Sequence, residues 1–153
     1  MDLSDEIMIP APRDKVYAAL NDPDVLKECI PGCEELEKTS DTDLAAKVSL
    51  KIGPVKAKFN GTVVLDPSQA PEKFSLSGQG NGGAAGFAKG GADVTLTEVE
   101  GGTLLAYQAK AEIGGKLAQL GNRLVQGTAK KLSAQFFADF AEKVGEGDPG
   151  TSA

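Results

Sequence analysis

The chain has no histidine and no tryptophan, and only two cysteines and two tyrosines among its 153 residues. Without histidine, the usual general base and the serine and cysteine triads are missing. A metal site would lack its ordinary nitrogen ligand as well. The cysteines lie in Cys29-Ile30-Pro31-Gly32-Cys33, a gap of three residues rather than the two of redox motifs and common zinc knuckles. They read as structural, reduced thiols. Glu28, Glu34 and Glu35 surround them, and neighbouring negative charge disfavours a thiolate. Cys33 is expected to point into the core, with Cys29 closing a short helix against it. The missing tryptophan leaves a core of aliphatic residues and phenylalanine. No apolar run approaches the length of a signal-peptide h-region or a membrane span, which predicts a cytoplasmic chain.

At 41% hydrophobic and 25% charged, the composition suits one folded domain. The net charge of −6 is unevenly spread: residues 1–43 carry −8, whereas 44–65 and 110–131 each carry +4. In the first basic block Leu44, Ala46, Val48, Leu50 and Ile52 alternate with Lys47, Ser49 and Lys51. After Gly53-Pro54, Val55, Ala57, Phe59, Gly61 and Val63 alternate with Lys56, Lys58 and Asn60. Lys47, Lys51, Lys56 and Lys58 then share the solvent face of one hairpin. Lys116, Arg123 and Lys130 recur every seven residues and form a second row on a helix. Both rows read either as solvated faces or as contacts for an acidic partner or an anionic membrane.

Alternation and turn residues place strands at 2–9, 34–39, 43–52, 55–65, 73–80, 86–99 and 103–113. Pro12 suits the first turn of a short helix through Leu20, and Asn21-Asp22-Pro23-Asp24 starts a second to about Glu28. After Gly114-Gly115 the spacing predicts one long amphipathic helix ending near Val144. Leu117, Leu120, Leu124, Thr128, Leu132, Phe136, Phe140 and Val144 form its apolar stripe. The predicted class is α+β, a curved antiparallel sheet of about seven strands gripping a long C-terminal helix over residues 1–144. Residues 145–153 read as a flexible polar tail.

Several strings resemble the G-subunit family of carbon monoxide dehydrogenase. They are Ile9-Pro10-Ala11-Pro12, Leu20-Asn21-Asp22-Pro23, Cys29 to Glu34, Lys51-Ile52-Gly53-Pro54-Val55, Gly82 to Ala92, and Gly114 to Gly121. The resemblance covers about residues 1–144. It implies the START-like (SRPBCC) helix-grip fold, often built around a cavity for hydrophobic ligands. It also implies a non-catalytic accessory role toward an aerobic carbon monoxide dehydrogenase or related molybdenum hydroxylase, with a bound quinone or lipid and recruitment to the inner face of the cytoplasmic membrane. Longer members continue into an apolar C-terminal segment that is not seen up to Ala153, so anchoring is expected to use the folded surface or another polypeptide of the complex. Cyclases and dehydratases of the same fold keep a small-molecule cyclase or hydrolase as an alternative, beside a cavity-free interaction module.

Gly78, Gly80 and Gly83 match G-x-G-x-x-G, yet a dinucleotide fingerprint must open a helix and a strand-like run follows instead. Glycines at 78, 80, 90 and 91 more readily permit bulges, curvature or close approach of a backbone or ligand. Ala109, Ala111, Ala118, Gly121, Gly127 and Ala129 extend the small-residue character to the facing strand and helix. Either helix and sheet pack tightly there, or a lined void remains. For the void the candidate walls are Leu50, Phe59, Phe74, Leu76, Phe87, Tyr107, Leu120, Gly121 and Leu124. No catalytic residues are assigned: Glu34, Glu35 and Glu37 read as solvated, and Tyr17 and Tyr107 as packing residues.

Overall fold

Alternation along the strands, complete in Val55–Asp66, gives the sheet an inner and an outer face. The computed structural model describes residues 1–146. Its strands are β1 (Asp2–Ile9), β2 (Cys33–Lys38), β3 (Asp43–Ile52), β4 (Val55–Asp66), β5 (Lys73–Asn81), β6 (Phe87–Val99) and β7 (Gly102–Gly114). They form one antiparallel sheet in the order β1-β7-β6-β5-β4-β3-β2. Each boundary lies within one residue of the expected one. Helices α1 (Arg13–Leu20) and α2 (Pro23–Cys29) connect the two edge strands. Pro12 is the N-cap of α1, and the Asp22 carboxylate accepts the Asp24 N–H at 2.9 Å to cap α2.

The C-terminal helix departs from expectation. Instead of one element there are two, α3 (Lys116–Gln119) and α4 (Asn122–Glu146). Gly121 adopts φ +93°, a left-handed conformation open to glycine and costly for other residues. It therefore breaks the helix rather than sitting inside it, although the stripe of leucines runs across the break without a change of spacing. The 25 residues of α4 extend about 37 Å. Gly145 and Glu146, expected in the tail, belong to this helix, and residues 147–153 lie outside the described residues.

Packing is concentrated at one end of the sheet. Ile9, Val16, Phe74, Leu96, Leu105 and Phe140 belong to one buried cluster that joins β1, α1, the central strands and α4. The buried Thr103 hydroxyl donates to the Ala11 carbonyl at 2.8 Å and ties β7 to the turn after β1. Phe136 stacks on Phe140 at 5.7 Å and meets Phe137 edge-on at 5.0 Å, which seats the C-terminal part of α4 on this cluster. Along the strands away from the core, side chains on the inner face become small, and the middle of the sheet is left without filling.

Candidate functional site

Cross-strand register turns scattered glycines into a floor. One row reads Ala46, Gly61, Gly80 and Ala88; the next reads Leu44, Val63, Gly78, Gly90 and Ala111. Toward the core, Leu65, Leu76, Ala92 and Ala109 form a third row. Above them lies a cavity of about 540 Å³, within the range of small-molecule sites. Leu20, Leu26 and Ile30 of the α1–α2 region wall one side, and Phe136 and Phe137 of α4 another. Thr62, Gln79, Lys89 and Lys110 also border it, but strand alternation puts these exposed residues on the outer face, where Lys89 pairs with Glu112 at 3.3 Å. The inward lining is aliphatic and aromatic. Such a surface desolvates an apolar molecule and offers it no charged group.

A larger space, about 720 Å³, lies against the outer face of the same glycines, lined by Asp2, Ser77, Gln79 and Glu112 among others. It is an open groove of mixed lining, in which charged and polar groups stand beside Val64 and Ala111. The inner space, with its almost wholly apolar lining, is the better site for an apolar ligand, despite being smaller. Around the glycines themselves the backbone is close: a Cβ on Gly90 would collide with the Lys110 carbonyl oxygen, and one on Gly78 would stand 3.0 Å from the Thr62 carbonyl. Gly80 differs, since a Cβ there meets nothing nearer than the Phe59 Cβ at 4.0 Å.

Of the candidate walls, Phe74 and Leu76 line the cavity. Tyr107 stacks on Phe137 at 5.2 Å, behind that wall. Leu50 and Phe59 continue the inner faces of β3 and β4 beyond the lining, Phe59 with its ring over Gly82. Leu120, Gly121 and Leu124 are at the α3–α4 break, where Leu124 reaches the β3–β4 turn at Gly53. Phe87 is on the outer face with its ring over Gly114, 44% exposed. Walls missed by the sequence reading include Leu20, Leu26, Ile30 and Phe137. Phe137 lies one position off the apolar stripe, and the residues of α1 and α2 carried no signal of facing a cavity.

The basic rows split in two. Lys47 pairs with Glu35 at 3.1 Å and Lys58 with Glu34 at 3.6 Å, so half of the hairpin lysines are neutralised by the neighbouring edge strand. No ion pair joins Lys51, Lys56, Lys116, Arg123 or Lys130 among the described residues. Cys29 closes α2 against the core as expected, whereas Cys33 does not point into it. Cys29 is in the core at 2% exposure, while Cys33 is half-buried, its thiol donating to the Glu35 carbonyl at 3.4 Å. A bulge between Cys33 and Glu35 accounts for the turn of Cys33 away from the core. Burial raises both thiol pKa values; the Asp139 charge adds to this at Cys29, whereas Lys27 opposes it at Cys33. Among the described residues no group of three or more Cys, Asp or Glu side chains is arranged to hold a metal ion.

The fold recurs widely in solved structures. A conserved protein from Geobacillus kaustophilus superposes with a TM-score of 0.88 at 29% identity, over 95% of this chain and 96% of that one. A START superfamily protein from Mycobacterium smegmatis matches at a TM-score of 0.72 and 14% identity, over 95% and 97% of the two chains. An aromatase/cyclase from Streptomyces sp. R1128 matches at a TM-score of 0.70 and 9% identity, over 94% and 93%. No curated protein matches in sequence. The family model for the G subunit of carbon monoxide dehydrogenase (CoxG) matches residues 6–145, from the first strand to the end of the last helix. A helix-grip sheet around an apolar cavity, matched by that model over nearly its whole length, belongs to the carbon monoxide dehydrogenase CoxG family.

Proposed function

We propose that this chain is a non-catalytic accessory protein of an aerobic carbon monoxide dehydrogenase or a related molybdenum hydroxylase. It holds a hydrophobic molecule of the quinone or lipid class and helps bring the enzyme to the membrane. The observation that carries the reading is the apolar cavity of about 540 Å³ in a member of this family. Its lining favours transfer of hydrocarbon from water at about 25 cal/mol per Å² of buried apolar surface. Acid–base catalysis needs a titratable side chain within hydrogen-bonding reach of the reacting atoms, which the inward-facing lining does not supply. Membrane contact in this reading falls to the surface, since no helix among the described residues is long and apolar enough to cross a bilayer.

Native mass spectrometry of freshly purified protein, followed by solvent extraction, tests the reading. A retained isoprenoid quinone or lipid in stoichiometric amount is the expected result. A protein that is consistently empty and takes up neither a quinone analogue nor a fluorescent fatty acid would refute it. The cyclase alternative draws support from the similarity to the Streptomyces aromatase/cyclase. Cyclisation or aromatisation of a small-molecule substrate by the purified protein would establish it instead.

A further inference from the structure

The end of the sheet beyond the glycine floor gathers four chain segments. There the β3–β4 turn at Gly53 touches Leu124 of α4, and α3 packs against both α4 and the short 3₁₀ turn at Gly83–Ala85. Lys51 and Lys56 flank the β3–β4 turn and are directly opposite each other in the ladder. Like charges in that position repel, and among the described residues no carboxylate pairs with either. Lys116 opens α3 and Arg123 lies in the first turn of α4, both exposed. Residues 44–65, 82–88 and 113–131 contain no Asp or Glu at all, in a chain whose net charge is −6. Two large apolar side chains stand exposed among these cations, Phe87 at 44% and Leu124 at 38%.

We infer that this end is a docking surface for an anionic lipid bilayer. The inference deepens the carrier reading and rests on it for the purpose of docking, which is exchange of apolar cargo with the membrane. Charge complementarity selects an anionic partner. The arrangement of the cations selects a bilayer over an acidic protein: they are spread over one hairpin turn and the starts of two helices, and three of the four are lysines. Lysine is a point charge suited to a diffuse anionic surface, whereas bidentate recognition of fixed carboxylates favours arginine. Phe87 and Leu124 add apolar groups able to enter the headgroup boundary.

Co-sedimentation with vesicles of phosphatidylglycerol and phosphatidylcholine tests the surface, against vesicles of phosphatidylcholine alone. Binding is expected only with the anionic lipid and should fade as salt shortens the screening length. The variant Lys51→Gln, Lys56→Gln, Lys116→Gln, Arg123→Gln should bind at least about a hundredfold more weakly, given what each cation contributes near an anionic surface. A control, Lys15→Gln, Lys27→Gln, Lys38→Gln, Lys73→Gln, changes net charge equally at other positions and should bind like the wild type. Because the chain has no tryptophan, Phe87→Trp supplies a single indole, excited apart from the two tyrosines, whose emission should shift to the blue on anionic vesicles. Equal loss in both quadruple variants, equal binding to the neutral vesicles, or no spectral shift would overturn the proposal. So would capture by an acidic polypeptide without any binding to vesicles. Uptake of a fluorescent fatty acid, measured without vesicles, keeps the two readings apart: normal uptake with failed docking removes only this surface, and failed uptake with intact docking removes only the carrier.

Discussion

Gly80 and Gly90 face the same cavity and should respond oppositely to the same substitution. At Gly80 a new Cβ has the Phe59 Cβ as its nearest neighbour, at 4.0 Å, so a side chain there extends into open volume. Burying a leucine completely contributes about 1.5–3 kcal/mol, and one lining a cavity with contacts on one side gains the lower part of that range. Replacing glycine within a strand adds about 0.5–1 kcal/mol by narrowing the unfolded ensemble. Gly80→Leu should therefore stabilise by about 1–3 kcal/mol, raising Tm by about 2–4 °C per kcal/mol at this chain length. Benzene fits a cavity of about 150 Å³, so the isobutyl group removes on the order of a quarter of the 540 Å³ available. Excluding some four methylenes of ligand at about 0.8 kcal/mol each weakens binding roughly a hundredfold. Gly90→Leu has no such room, because its Cβ would collide with the Lys110 carbonyl and stand 2.8 Å from the Ala111 Cα, both fixed in β7. It should cost about 3 kcal/mol or more. Differential scanning calorimetry and displacement of a fluorescent fatty acid read both effects. A lower Tm for Gly80→Leu, or a stabilised variant with unchanged probe affinity, would refute the assignment of this space as the binding cavity.

Gly121→Ala should destabilise by about 1–2 kcal/mol through its left-handed φ of +93° and leave probe affinity unchanged, since a Cβ there meets nothing within 4 Å; chemical denaturation beside probe titration checks both. Cys29 should resist alkylation in the native protein and react once denaturant exposes it, as mass spectrometry after iodoacetamide treatment would show. Its folded pKa lies above the ordinary 9.0, so the unfolded state loses this proton first as pH rises. The corresponding stability is fully present below pH 9.0 and declines from there up through the folded pKa. Cys29→Ala should remove that part of the alkaline slope, with a packing cost of about 1 kcal/mol; urea melts that keep the same slope in the variant would contradict the linkage.

Strands were legible because alternation is local: Val55 to Val63 shows its inner face without knowledge of any partner. The helix break was not, because the 3.6-residue stripe continues through Gly121 and only the left-handed backbone reveals the interruption. Ion pairing of Lys47 and Lys58 was equally hidden, since Glu34 and Glu35 reach them only through the pairing of β2 beside β3. Candidate walls chosen from large apolar residues caught Phe74 and Leu76, which stand between core and cavity, and gathered Leu50, Phe59, Leu120 and Leu124 at the far end. The floor itself depends on Gly61, Gly78, Gly80, Gly90 and Ala111 coming from four strands into adjoining cross-strand rows, a relation that periodicity within one strand cannot express. Burial along the helical stripe follows the same gradient: Leu124 is exposed, Leu132 and Phe136 are half-buried, and Phe140 and Val144 are buried. Leu124 at the start of α4 meets a glycine of the β3–β4 turn, whereas Phe140 and Val144 at its other end belong with Leu96 and Leu105 to the buried core. Incomplete packing at one end and a closed core at the other are thus one feature of the residue sizes on the sheet, and that difference is what leaves room for a ligand.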